Sequence, residues 1–140
     1  MKKYILLLAI LFIISCGPEP YDTHLKYTIH NDSRYSVELG IFKAYFVNSP
    51  ITDTYITITS GTEFNYDFYN KSGQEPFGMS SDSAYITFNK TKRLIYKRED
   101  NQIRNILDIN SWIGGKVGDY LYEYEYFITD EDYENAIEIK

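Results

Sequence analysis

From His24 to His30 apolar and polar positions alternate, with Leu25, Tyr27 and Ile29 on one face and His24, Lys26, Thr28 and His30 on the other. A period of two over this length predicts a strand with one buried face. Asn31-Asp32-Ser33 supplies turn residues, and Tyr35, Val37, Leu39 and Ile41 then repeat the alternation, so the two runs together predict a first hairpin. Gly40, inside the second run, marks a bulge or a close approach of backbone. Asn48-Ser49-Pro50 breaks the next apolar stretch, after which Ile56 and Ile58 alternate with Thr57 and Thr59. Ser60-Gly61 turns this strand into another that carries Phe64, Tyr66 and Phe68 on one face.

Asn70 to Asp82 contains Gly73, Pro76, Gly78 and several serines without a sustained period, and predicts a mobile surface loop. Ala84, Ile86 and Phe88 resume the alternation, and Asn89-Lys90-Thr91 leads into Leu94 and Tyr96, set against Arg93, Ile95 and Lys97. Ile103 to Ile113 reads as a short helical turn or irregular edge. Gly114, Gly115 and Gly118 predict a flexible loop before the last strand, in which Tyr122, Tyr124 and Tyr126 share a face. Thr129 to Asp132 has capping-box spacing, with Asp in place of Glu or Gln, and opens a short helix running through Ala136. About seven half-apolar strands must cover one another. The expected fold is therefore all-β, a two-layer antiparallel β-sandwich (immunoglobulin-like) with one short C-terminal helix, and a small closed barrel is the alternative.

Tyrosine is the commonest aromatic, with 15 residues, which strengthens the sheet reading. Charge is uneven: Asp119 to Lys140 holds eight acids and one base, while Cys16 to Gly118 is nearly balanced. An acidic end argues against nucleic acid as a partner, because phosphate binding needs concentrated positive charge. Cys16 is the single cysteine, so no disulfide within the chain is available and stability must come from packing.

The first fifteen residues place the chain in a compartment. Lys2 and Lys3 precede an unbroken apolar run from Tyr4 to Ile14, which is too short to span a bilayer and has the layout of a secretory leader. Ile13-Ile14-Ser15-Cys16 then resembles the lipobox of bacterial lipoproteins. That resemblance implies cleavage before Cys16, a diacylglyceryl group on its thiol and acylation of the new amino terminus, with palmitate as a typical chain. Several acyl chains make a lasting membrane anchor where one would not. The expected organisation is residues 1–15 as lipoprotein signal peptide, 16–22 as lipidated cysteine and tether, and 23–140 as one β-sandwich domain. Gly17-Pro18-Glu19-Pro20 is stiff and suits a tether. Gly17 is not the aspartate that retains lipoproteins at the inner membrane, so the resemblance implies the outer membrane. The Tyr-x-Tyr-x-Tyr run ahead of Ile128 to Ala136 resembles the C-terminal ends of small uncharacterised bacterial surface lipoproteins, a likeness that carries no activity.

Candidate chemistry is sparse. The chain has no Gly-x-Ser-x-Gly, no phosphate-cradling loop and no His-Glu-x-x-His, so no catalytic residues are assigned, and no cofactor or metal site is expected. His24 and His30 lie roughly 20 Å apart along one strand and read as exposed polar-face residues. Asp130, Asp132 and Glu134 begin like a calcium loop, but Asn135 replaces the required glycine, so an acidic helix start is the reading. The Tyr122, Tyr124 and Tyr126 stripe is either core packing or a stacking platform for sugar rings. Trp112, beside the glycines, is a better candidate for an exposed, ligand-contacting aromatic, although packing remains the favoured reading. Lys90, Lys92, Arg93, Lys97 and Arg98 form a basic cluster, expected to pair with Glu123 and Glu125 or to meet an acidic partner or lipopolysaccharide phosphate. Asp82-Ser83-Ala84 resembles a short bacterial O-glycosylation site, against an ordinary turn before a strand. The functional expectation is an envelope-anchored, non-enzymatic binding or interaction module whose partner is an envelope protein or glycan. The alternative is a small envelope hydrolase, or an inhibitor of an envelope enzyme.

Overall fold

The structure, a computed structural model, describes residues 22–43, 54–70, 74–77 and 81–140. The leader, Cys16, the Gly17–Pro20 tether and the Asn48-Ser49-Pro50 break lie outside the described residues. Nine strands are present among the described residues: β1 (Thr23–Asn31), β2 (Val37–Lys43), β3 (Thr54–Ile58), β4 (Glu63–Asn70), β5 (Ser81–Phe88), β6 (Lys92–Lys97), β7 (Ile113–Gly118), β8 (Leu121–Ile128) and β9 (Ile137–Glu138). A 3-10 turn at Ile109–Ser111 falls within the stretch expected to be irregular, and one helix, α1, spans Asp130–Asn135.

The strands form two sheets, ordered β4-β1-β8-β7 and β3-β2-β5-β6-β9. Alternation explains the layering, because the apolar set of each inner strand faces the other sheet. Leu25, Tyr27 and Ile29 of β1, with Tyr124, Tyr126 and Ile128 of β8, meet Val37, Leu39 and Ile41 of β2 and Ala84, Ile86 and Phe88 of β5, all of them buried in one cluster. Burying each large side chain contributes about 1.5–3 kcal/mol, so these four strands dominate the stability. Each sheet keeps two distinct edges, which makes a sandwich and not a closed barrel. Of the tyrosine stripe of β8, Tyr124 and Tyr126 are core and Tyr122 packs half-buried against it, so the stripe is packing and not a platform.

Within that sandwich several local expectations are corrected. β1 and β2 do not form a hairpin, since they lie in different sheets. The reason is Asn31, which is fully buried. Its side-chain nitrogen donates to the carbonyls of Tyr35 and Ile58, both at 2.8 Å, and its oxygen accepts from the Ser33 hydroxyl at 2.7 Å. The backbone thus folds over a side chain instead of doubling back along its own sheet. β3 and β4 cross between the sheets in the same way at Ser60-Gly61, where Gly61 takes φ +72°. The two crossings bond to each other, with the Ser60 hydroxyl donating to Ser33 O at 2.6 Å and Gly61 N–H to Asn31 O at 2.8 Å.

The central pair of the four-stranded sheet, β1 and β8, is parallel, whereas every other pairing is antiparallel. Neither sheet follows the ABED and CFG orders of a constant immunoglobulin domain. Gly114 and Gly115 are not a flexible loop but part of edge strand β7. Gly114 has φ +135°, and a Cβ there would stand 2.1 Å from Glu123 O; only glycine lets the two backbones approach this closely. Part of the expected mobile loop is docked. Pro76 is buried, the Phe77 ring stacks on Tyr66 with centroids 5.2 Å apart, and Gln74 O accepts from the Tyr27 hydroxyl at 2.9 Å.

The C-terminal helix forms where its cap predicts, and Thr129 N–H donates to Asp132 Oδ2 at 2.8 Å within the capping box. Arg34 anchors the same turn, its backbone N–H reaching Asp130 Oδ1 at 3.0 Å and its Nε reaching Oδ2 at 2.9 Å. These bonds, the backbone one first, hold the Asp130 carboxyl below the usual carboxylate range. A depressed folded-state value means the contribution is complete above the unfolded pKa of about 3.9 and fades as pH falls through the folded value. Arg34→Ala removes the guanidinium and leaves the backbone donor. An NMR titration should therefore show Asp130 moving only part of the way back, and a complete return would refute the role of the backbone N–H.

Candidate functional site

The outward residues of the two sheets differ in kind. On the four-stranded sheet, register places Asp67, Lys26 and Glu123 in one row, Asn65, Thr28 and Glu125 in the next, and Glu63, His30 and Phe127 in a third. Most of these groups pair with one another, although His30 Nε2 is buried without a hydrogen-bond partner among the described residues. Lys26 Nζ lies 3.4 Å from Glu123 Oε1, His24 Nε2 lies 2.8 Å from Asp67 Oδ2, and His30 Nδ1 lies 3.4 Å from Glu63 Oε2. The histidines are mostly covered, not exposed as expected, because His24 stacks on Tyr69 and His30 on Phe127. Among the described residues no group of three or more histidines and carboxylates is placed to hold a metal ion. A shallow hollow of about 400 Å³ lies over this face, lined by Asp67, Glu123 and Glu125 among others. These carboxylate side chains are each about half exposed, whereas a glycosidase general acid sits in a pocket that desolvates it.

The outer face of the five-stranded sheet is arranged otherwise. Tyr55 of β3, Gly40 of β2, Tyr85 of β5 and Ile95 of β6 form one row across four strands. Phe42 stands one row along, its ring 5.8 Å from Tyr55 and 4.8 Å from Tyr85. Gly40 permits this, since a Cβ at that position would come within 3.1 Å of the Phe42 ring. Tyr55 is 61 % exposed. The opposite row holds Thr57, Glu38, Thr87 and Arg93, and Arg93 lies over the Tyr85 ring at 5.1 Å. Beside it a second hollow, of about 330 Å³, is lined by Glu38, Thr57, Thr87, Asn89 and Lys90. Asn89 and Lys90 form the β5–β6 turn with positive φ, the left-handed pair that suits a tight hairpin.

The basic cluster does not pair with β8 as expected, because β6 and β8 belong to different sheets. Glu123 faces Lys26, and Glu125 faces His30 at 3.7 Å. Arg98 pairs with Glu75 at 2.5 Å, and Lys92 caps the Tyr133 ring at 4.5 Å. Lys90, Arg93 and Lys97 meet no carboxylate among the described residues. The cluster and the outward alternation Arg93, Ile95, Lys97 on β6 are legible in the sequence, whereas the neighbouring Tyr85 is placed beside them only by the pairing of β5 with β6.

Trp112 is 6 % exposed. Its indole N–H donates to Ile106 O at 3.0 Å, and its ring meets Tyr27 and Tyr126 at 5.2 and 5.3 Å. Packing is its role here, not display to a ligand. Burial raises the Tyr27, Tyr66 and Tyr126 hydroxyls above the ordinary tyrosine range and pushes Tyr96 up to about 12, so all four stay protonated. Asp82-Ser83-Ala84 lies within β5 instead of a turn, with the Ser83 hydroxyl bonded to Asp82 at 3.1 Å. Asp130 and Asp132 serve the helix start, as expected. Comparison with protein-family models, with curated proteins and with solved structures finds no match.

Proposed function

We propose that the chain is a lipid-anchored envelope protein, held at the outer membrane through Cys16, whose sandwich acts as a non-enzymatic binding module. The outer face of the five-stranded sheet is its binding surface. One observation carries this reading: that face sets the exposed Tyr55 and the half-buried Phe42 and Tyr85 beside cations that meet no carboxylate among the described residues, whereas on the other face Lys26 and both histidines each lie beside a carboxylate.

The anchor is tested by Cys16→Ser, which should abolish incorporation of labelled palmitate and release the protein from the membrane fraction; label retained by the variant would refute it. Cross-linking in intact cells should trap envelope neighbours through the five-stranded sheet. The second reading, a small hydrolase using Asp67, Glu123 and Glu125 in the open hollow, requires turnover of a glycoside or peptide substrate. Turnover lost in Glu123→Gln would overturn the binding-module reading.

A further inference from the structure

We infer that the outer face of the five-stranded sheet binds a carboxylated polysaccharide, a chain of uronate-type sugars; this rests on the binding-module reading above and names its ligand class. The outward residues of β6 are Arg93, Ile95 and Lys97, two cations flanking an apolar centre. Four residues of strand separate the cations by about 13 Å, a span that several sugar units of an extended chain would cover. Beside this line stand the exposed ring of Tyr55, suited to the C–H face of a pyranose sugar, and the half-buried rings of Phe42 and Tyr85, the latter with Arg93 over it. Thr57, Glu38 and Asn89 border them with groups able to meet hydroxyls, while the buried Thr87 hydroxyl accepts from Arg93 Nε at 3.0 Å.

Charge decides which polysaccharide fits. Lys90, Arg93 and Lys97 find no carboxylate among the described residues, and the acids bordering the aromatic rows are Glu38 and Asp82. A negative charge repeated along the ligand would therefore be matched on the β6 side, and a neutral polymer would leave the cations without a counter-charge. Shape argues against a folded protein as occupant. Protein hot spots anchor in deep, desolvated pockets, whereas here the rows are flat sheet and Tyr55 stands largely in solvent.

The test is affinity gel electrophoresis of the purified full-length protein in detergent, with polygalacturonate, alginate or hyaluronate in the gel and dextran as the neutral control. The uronate polymers should retard the protein in a salt-sensitive way, and dextran should not. Tyr55→Ala, at an exposed position, should weaken retardation about fivefold, as loss of one aromatic contact of about 1 kcal/mol implies. The double variant Arg93→Gln, Lys97→Gln should remove most of the salt sensitivity. Circular dichroism matching the unaltered protein establishes that each variant is folded. No retardation by any uronate polymer, equal retardation by dextran, or retardation unchanged in both variants would overturn the inference. Cross-linking of one envelope protein that is lost in Tyr55→Ala, without polysaccharide retardation, would overturn the ligand class and leave the binding surface standing. The surface reading itself fails if neither polymer nor neighbour depends on Tyr55, Arg93 or Lys97.

Discussion

Asn31→Asp should destabilise the fold by about 4 kcal/mol, although it exchanges a single NH₂ for an oxygen. The amide nitrogen donates to two carbonyls at 2.8 Å, and the amide oxygen accepts from the Ser33 backbone N–H and hydroxyl. A carboxylate keeps the accepting half and turns the donating half against the Tyr35 and Ile58 carbonyls. Since the site is fully buried, water cannot relieve the clash. Urea titration followed by Trp112 fluorescence measures the loss cleanly, because Trp112 is the single tryptophan. The deficit should also shrink in acid. Burial raises the folded-state pKa of the new carboxyl above its unfolded value of about 3.9. The charge penalty is therefore complete above the folded pKa and absent below the unfolded one, where the single O–H of the acid still leaves one of the two carbonyls without a donor. A loss under about 1 kcal/mol, or one independent of pH, would mean that the corner does not depend on this side chain.

Trp112→Ala should cost about 3–5 kcal/mol, the range for deleting a buried large aromatic. The indole lies among Tyr27, Phe77 and Tyr126 and satisfies Ile106 O, so its removal opens a cavity and leaves a buried carbonyl without its donor. Thermal unfolding followed by circular dichroism is the appropriate measurement, since the fluorophore is gone. A ligand-contacting surface tryptophan would behave oppositely, with stability kept and binding lost. That outcome would restore Trp112 as a site residue.

Local signals in the chain were informative. Alternation at Leu25, Tyr27 and Ile29, or at Ala84, Ile86 and Phe88, reports that one face is buried, and the structure buries those residues. The Thr129–Asp132 cap and the Asn89-Lys90 turn are set by bonds and dihedrals within a few residues, so they too could be read. Pairing could not. Nothing in β1 states that its neighbours are β4 and β8, because a strand offers the same backbone groups to any partner. The first two runs look like a hairpin because Asn31 is a turn residue by type; its burial, which sends the chain to the other sheet, is a tertiary fact. Gly114 shows the same limit in reverse, since glycine is frequent in loops and at sites of close backbone approach alike. The candidate face was partly legible. Arg93 and Lys97 stood out as charge, but Tyr55, Phe42 and Tyr85 come from three strands that only the fold brings together.

The placement of β1 bears on how the molecule reaches its native state. Lys26 and Glu123, opposite each other on β1 and β8, are 97 residues apart in the chain. Such remote contacts make for high contact order and slow acquisition of structure, because a long loop must close before any reward follows. Until the segment carrying β8 arrives, one side of β1 is an open edge with unsatisfied amides, a template for aggregation. A nascent chain of this kind is suited to condensing only once β8 has been made.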